Sequence, residues 1–388
     1  MESFRHIAPG LRLFHGDDCL SWLTGELDRV GSRRAAIVCG ATVARRADLA
    51  GRVRELLGPR CVEVFDGVRA HSPVSAVESG ASRLRSARAD AVVALGGGSA
   101  LVTARAAVIL AAENRDARSV CSYLRDDGRF ISPKLLAPKL PILVVPTTPT
   151  TAIVKAGSGV LEEPSGRRLT MFDPKTRAQA VFVHPAFAGS APTSLALGAG
   201  LNALAMTVEA LGSDAGNPLS DALLIHALRL LSRGLLLLTA DAGAAESRDD
   251  LMLAAILCGQ GTDQANPGVC AALGHSLGTR SAVANGLAQC ILLPHTMRFN
   301  AVATGHRAGK VAMGLGRAAF PASPQADIQA VEELLGRLGI ARRLRDAGVT
   351  REVFGEVARA CLEDWFLRLN VRPVRTESEL LEILHAAW

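Results

Sequence analysis

Ala91-Val92-Val93-Ala94-Leu95-Gly96-Gly97-Gly98-Ser99 is the stretch on which the fold turns. Five apolar residues, opened by Asp90 and closed by glycine, read as a short buried strand. Three glycines and a serine then reverse the chain into an alanine-rich helix reaching about Ala112. Glycine allows the backbone a close approach to a pyrophosphate, and the helix start offers free N–H groups and the positive end of its dipole. A glycine turn of this kind also serves simply to connect a strand with a helix.

Reading outward, the same pattern recurs. Ala35-Ala36-Ile37-Val38-Cys39 is a strand run, closed by Gly40 and followed by an arginine-rich, helix-like segment. Cys61-Val62-Glu63-Val64-Phe65 is another strand, and Pro141-Ile142-Leu143-Val144-Val145 a fourth, ending in Pro146-Thr147-Thr148. Strands alternating with helices imply a doubly wound parallel sheet, whose ligands sit at the carboxyl ends of the strands. Both the glycine turn and Pro146-Thr147-Thr148 fall there. Beyond His184-Pro185 the periodicity is helical, over residues 195–210, 220–238, 248–258, 286–299, 328–338 and 351–369. The expected organisation is an α/β dinucleotide-binding domain over residues 1–188 and an all-α domain over residues 189–388.

Composition sets the class. With 388 residues, 49% hydrophobic and 21% charged, the chain has material for two substantial cores. The first residues carry no apolar signal core, and no uninterrupted apolar run approaches the length of a membrane span. Eight cysteines are scattered singly, as expected of reduced thiols in a cytoplasmic protein. The net charge is +6, but the basic residues are dispersed and there is a single tyrosine to stack on bases, so nucleic acid is not an expected partner. An anionic substrate or cofactor suits the residual positive charge.

Two further segments carry the functional reading. Gly198-Ala199-Gly200-Leu201-Asn202-Ala203-Leu204-Ala205-Met206 resembles the helix start T-G-x-D-A-L-x-H of the iron-containing alcohol dehydrogenases. Residues 268–300 resemble the same family's G-x-x-H-x-x-x-H-x-L-G…H-G-L-A-N-A-x-L-L-P-H-x-M-R-F-N run. Together with Asp66-Gly67-Val68, Asp90, the glycine turn and Pro146-Thr147-Thr148, the resemblance to this family, within the dehydroquinate-synthase-like superfamily, extends from Phe14-His15-Gly16 to about Asn300. It implies a nicotinamide-dinucleotide cleft built from Gly40, Gly96, Gly97, Gly98, Ser99, Thr147, Thr148 and Thr151, and it implies a homodimer.

The chain departs from that pattern where the chemistry is done. The family's four metal-ligand positions fall on Asn202, Met206, Ala271 and Asn285. Zinc and iron take imidazole nitrogen and carboxylate oxygen, and these side chains offer neither. No metal is therefore expected, although His184 and His226 remain open as members of some other site. The family's aspartate and lysine after the glycines are Val102 and Arg105 here, and its A-G-T-G-S-E after Pro-Thr-Thr is Pro149-Thr150-Thr151-Ala152-Ile153-Val154. The acidic residue common after the first strand is replaced at Cys39-Gly40, which with Arg45 and Arg46 leaves NAD and NADP both open.

Asn202 and Asn285 are candidates to hydrogen-bond a substrate oxygen in place of a cation, or else they fill a collapsed pocket. His275 is the candidate general acid/base, or else a structural histidine. Lys155 is a candidate partner for a substrate carboxylate or a proton acceptor, or else a surface lysine, and Arg280 a weaker anion partner. His295 reads as helix-cap architecture. The expected function is a metal-independent NAD(P)-dependent dehydrogenase or reductase, its substrate a small molecule or a peptide. One form is a β-hydroxy acid oxidised with loss of carbon dioxide in a peptide-tailoring pathway. The alternative is a non-catalytic cofactor-binding scaffold supporting a partner enzyme.

Overall fold

The computed structural model describes residues 3–125, 129–163, 165–317 and 322–388. They form two compact units, one of residues 9–191 and one of residues 192–388 that also takes in the described residues before Pro9. The N-terminal segment goes with the second unit because Gln264 Nε2 donates to the Ile7 carbonyl at 2.7 Å.

The first unit is built on a six-stranded sheet. Its strands are β1 (Leu13–His15), β2 (Ala35–Gly40), β3 (Cys61–Val68), β4 (Ala91–Gly96), β7 (Ile142–Pro146) and β10 (Ala178–Val183), in the order β1-β10-β7-β4-β2-β3. Every pairing is parallel. β4 and β7 are buried throughout. Parallel strands covered on both faces read as continuous apolar runs, which is why the sequence announces them. β1 is too short for such a run, and in β10 exposed Gln179 interrupts it, so neither was expected.

A second, antiparallel sheet was not expected either. It joins β5 (Cys121–Leu124), β6 (Phe130–Ile131), β8 (Gly157–Glu162) and β9 (Arg167–Phe172) in the order β6-β5-β9-β8. β8 carries Gly157 and Gly159, which weaken a strand signal. Helix α1 (Val74–Ser86) packs on α2 (Gly98–Glu113), and α2 also packs on both β4 and β8. The ten residues from Ala100 to Leu110 other than Val102 are all buried, hence a helix apolar all round.

The second unit is helical, with α3 (Thr193–Leu211), α4 (Pro218–Ala240), α5 (Ala245–Gly261), α6 (Val269–Arg280), α7 (Asn285–Thr304), α8 (Pro324–Arg337), α9 (Phe354–Leu362) and α10 (Glu377–Ala386). Helix α6 is hidden in the sequence by Gly274 and Gly278, and α10 is marked by a capping box between Thr376 and Glu379. The helix expected over 351–369 is broken. Asp364 accepts from the Phe366 N–H and so caps a separate short helix, Trp365–Arg368.

Contrary to the sequence reading, α3 and α4 are long and apolar enough to cross a membrane, with mean hydropathy of 1.4 and 1.6. Here they supply the core of the unit, through Leu201, Leu204, Leu211, Leu224, Leu231 and Leu235 among others. All eight cysteines are free thiols, and seven of them are buried.

Candidate active site

The chain leaves β2 for β3 and returns to β4 on the other side of β2, so the carboxyl ends of β2 and β4 flank the point where the winding reverses. Gly40 and Gly96 end these two strands. Gly96 pairs with Pro146 of β7, and the Thr147 N–H donates to the Gly96 carbonyl at 3.0 Å. The glycine turn and the Pro-Thr-Thr segment are thereby fixed side by side.

Each glycine answers to a different constraint. Gly96 has φ +139, a conformation that L side chains rarely adopt. A Cβ on Gly97 would lie 2.9 Å from Thr148 Oγ1, and one on Gly98 3.2 Å from Thr150 Oγ1. The cradle is therefore a strip of bare backbone flanked by two threonines, opening into the first turn of α2. Thr150, which the sequence reading passed over, abuts the turn. Thr151 is more deeply buried and begins a 3-10 turn. Gly40 has ordinary clearance, its Cβ position lying 3.6 Å from the Val68 carbonyl.

Ser72 was also missed. Its hydroxyl donates to the Ser99 carbonyl at 3.1 Å, and both Ser72 and His71 lie in the left-handed region, with φ of +51 and +60. Two adjacent non-glycine residues in that region are strained. The strain is held beside the cradle by the Leu161 N–H, which donates to the Ser72 carbonyl at 3.2 Å.

Arg105 ties the loop after β7 to α2. It is 2% exposed, and its Nη1 donates to the carbonyls of Ala152 at 2.6 Å and Lys155 at 2.5 Å. Burial, with Arg177 nearby, pulls the guanidinium down to about 10. Lys155 is half-buried, and its backbone is thus fixed from beneath. Of the two arginines near Gly40, Arg46 is paired with Asp48 and Arg45 is exposed.

In the helical unit, three helices converge on the former ligand positions. α3 carries Asn202 and Met206 one turn apart, α6 carries Ala271, and α7 begins with Asn285. A Cβ on Gly286 would lie 2.0 Å from the Gly198 carbonyl oxygen, and one on Gly278 1.6 Å from Asn285 Oδ1. At Gly286 the helices meet backbone to backbone and nothing larger fits, whereas at Gly278 it is the Asn285 side chain that takes the space. Asn202 turns inward along its own helix, its Nδ2 lying 3.3 Å from Met206 Sδ. His275 is half-buried on α6, its ring 5.5 Å from that of Phe366. Arg280 donates through Nη1 to the Ser276 carbonyl and hydroxyl. His295 lies in the middle of α7, so it is not a cap.

Glu209, one turn beyond Met206, was missed by sequence reasoning. Its carboxyl accepts from the N–H groups of Gly268 at 3.1 Å, Cys270 at 2.7 Å and Ala271 at 3.0 Å. Asn370 Oδ1 takes the Val269 N–H at 3.0 Å. The start of α6 is thus saturated by side chains from elsewhere in the unit. Burial pushes the Glu209 carboxyl up to about 7, against the pull of those three donors.

Comparison with known proteins matches the halves separately. The profile described as "Iron-containing alcohol dehydrogenase" matches residues 10–185, and "Fe-containing alcohol dehydrogenase family, C-terminal" matches residues 196–388. The chain belongs to the iron-containing alcohol dehydrogenase family. It is an oxidoreductase of the CH–OH group, of the alcohol or aldehyde type.

Among its relatives in this family, lactaldehyde reductase of Escherichia coli (strain K12) is 29% identical, over 96% of this chain and 97% of that one. The 1,3-propanediol dehydrogenase of Citrobacter freundii is 28% identical over 99% of both. The crystal structure of a 1,3-propanediol oxidoreductase superimposes with a TM-score of 0.89 at 25% identity, covering both chains entirely. Sulfoacetaldehyde reductase from Bifidobacterium kashiwanohense, solved in complex with NAD+, shares the fold with a TM-score of 0.85 at 21% identity, over 100% of this chain and 99% of that one.

The metal that names the family does not fit the donors present. At its four positions this chain offers two carboxamides, a thioether and a methyl group. Among the described residues no cluster of three or more His, Cys, Asp or Glu side chains is arranged to hold an ion. His184, the open candidate, accepts from the Ala186 N–H through Nδ1 at 3.1 Å and faces Arg52 Nη1 at 3.0 Å through Nε2. Burial and that arginine lower its pKa, which suits a neutral helix cap. His226 is exposed on α4.

Proposed function

We propose that this enzyme interconverts an alcohol and its ketone with NAD(H) or NADP(H) and without a metal ion. One observation carries the reading: the glycine–threonine cradle is complete, while the ligand frame of the helical unit has neither imidazole nor carboxylate at its four positions. Bound at the cradle, a nicotinamide dinucleotide supplies the hydride acceptor for oxidation or the donor for reduction. Residues 96–99 and Thr147, Thr148 and Thr150 hold its pyrophosphate against the start of α2. Asn285 hydrogen-bonds the substrate oxygen where relatives place a cation, and His275 takes the hydroxyl proton. Asn202, hydrogen-bonded to Met206, supports this wall of the site. Lys155 faces an anionic group of the substrate.

A site without a Lewis acid favours an activated substrate, such as a β-hydroxy acid. Oxidation then gives a β-keto acid, whose bond to the carboxyl breaks to release carbon dioxide while the remaining enolate takes up a proton. A peptide ending in threonine, modified in a natural-product pathway, has this chemistry. We place the enzyme in the cytosol as a homodimer, a setting that suits eight free thiols.

The test is a titration of the purified protein with NADH and NADPH, followed by nicotinamide fluorescence, then alcohol oxidation before and after dialysis against EDTA. One dinucleotide is expected to bind with a Kd of about 1–100 µM, with turnover unchanged by EDTA or by added Fe2+ or Zn2+. Activity that appears only with metal overturns the metal-free reading. Binding of a dinucleotide without turnover of any alcohol replaces it with the cofactor-binding scaffold, and absence of binding by either dinucleotide overturns it.

A further inference from the structure

Gln289 stands one turn after Asn285 on α7 and is fully buried. Among the described residues neither its carboxamide oxygen nor its nitrogen has a hydrogen-bond partner, and Asn285 Oδ1, also buried, has none there. Buried amides are nearly always satisfied, because leaving one unpaired costs its whole desolvation. An apolar side chain of the same length carries no such cost, so a glutamine here calls for a reason other than packing.

The surroundings are built to receive it. A Cβ on Gly274 would lie 2.2 Å from Gln289 Cγ, as one on Gly278 would lie 1.6 Å from Asn285 Oδ1. Two glycines one turn apart on α6 therefore make room for two amides one turn apart on α7. Residues at that spacing share one helix face. Asn202 differs from both, since its amide is already engaged by Met206.

We propose that Gln289 and Asn285 together form a seat for a neutral hydroxyl group, with Gln289 a second substrate-binding residue. The inference rests on the dehydrogenase reading above and names the form in which the substrate enters. A hydroxyl both donates and accepts, which matches an amide oxygen beside a complete carboxamide. A carboxylate or alkoxide only accepts, and would meet the lone pairs of two amide oxygens. The alcohol is thus seated with its proton on.

The test compares Gln289→Leu and Gln289→Met with the wild type, reading the Tm as a function of 1,3-propanediol concentration, with an NADH titration alongside. The wild type is expected to be stabilised by the diol. Both variants are expected to start with a Tm about 2–4 °C higher, having lost an unsatisfied amide. Their apparent Kd for the diol weakens about ten- to hundredfold, while their NADH affinity matches that of the wild type. A lower Tm in both variants assigns Gln289 a structural partner and overturns the proposal. So does an unchanged response to the diol, or a wild type that the diol does not stabilise. Failure of the wild type to bind either nicotinamide dinucleotide removes the dehydrogenase reading instead, whatever the diol does.

Discussion

Replacing Gly97 by valine abolishes nicotinamide-dinucleotide binding and leaves the helical unit folded. The Cβ of any side chain at this position would lie 2.9 Å from Thr148 Oγ1 and 3.3 Å from its Cγ2. Thr148 is only 7% exposed, so it has little room to swing aside. The Gly97 φ of −86 is ordinary, which makes the effect one of crowding and not of backbone strain. Overpacking of this kind costs about 1–3 kcal/mol. We therefore expect Gly97→Ala to weaken NADH binding about tenfold and Gly97→Val about a hundredfold or more. Gly25→Ala, in the helix Leu23–Arg29 of the same unit, where an added Cβ meets nothing within 4 Å, serves as the control and should bind as the wild type does. Wild-type NADH affinity in Gly97→Val, measured by fluorescence titration, would show that the dinucleotide does not use this turn.

The second large effect lies in the helical unit. Glu209→Ala strips the partners from three backbone N–H groups at the start of α6. Each unsatisfied donor costs about 1–3 kcal/mol. A cavity of about 50 Å³, lined by Glu209, Asn300, Thr296 and Asn370 among others, lets water recover part of that. The expected loss is about 4 kcal/mol, a fall in Tm of about 10 °C. The same residue gives stability a dependence on pH. Because burial raises its carboxyl to about 7 from an ordinary 4.5, the folded protein binds this proton more readily than the unfolded chain. Its contribution is complete below 4.5 and is lost as the pH rises through about 7, a swing of about 3 kcal/mol. Glu209→Gln, which does not titrate, should therefore have a flatter Tm profile between pH 5 and 8. Parallel profiles by calorimetry would sink the pH dependence, and a Glu209→Ala Tm within 2 °C of wild type would sink the anchoring role.

Both effects bear on what was legible in the sequence. β2, β4 and β7 of the parallel sheet announce themselves because two covered faces leave no place for polar residues. β8 and β9 lie on the small sheet, where exposed and buried positions mix, and their signal is correspondingly weak. Gly96, Gly97 and Gly98 were readable as a cradle, but only the structure assigns them distinct duties, one to conformation and two to clearance from Thr148 and Thr150. Asn202, Met206, Ala271 and Asn285 could be found by resemblance, since a missing ligand is visible in a motif. Gln289 and Glu209 could not. Each is an ordinary polar residue in a helix, and its meaning comes from what surrounds it: an amide with no partner among the described residues, and a carboxyl with three donors. Arg105 was noted as a departure, yet its grip on the loop carbonyls depends on a fold of that loop which its sequence does not reveal.

The cysteines give the molecule one more property. Burial pushes the thiols of Cys19, Cys39 and Cys121 in the α/β unit up to about 12, and raises those of Cys270, Cys290 and Cys361 in the helical unit well above the ordinary thiol range. Alkylating reagents attack the thiolate, so these six sulfurs are chemically silent at neutral pH while the chain is folded. Each unit thus carries its own three-channel recorder. A brief pulse of iodoacetamide during denaturation, read by mass spectrometry, timestamps the opening of one half of the enzyme independently of the other, with no label to install.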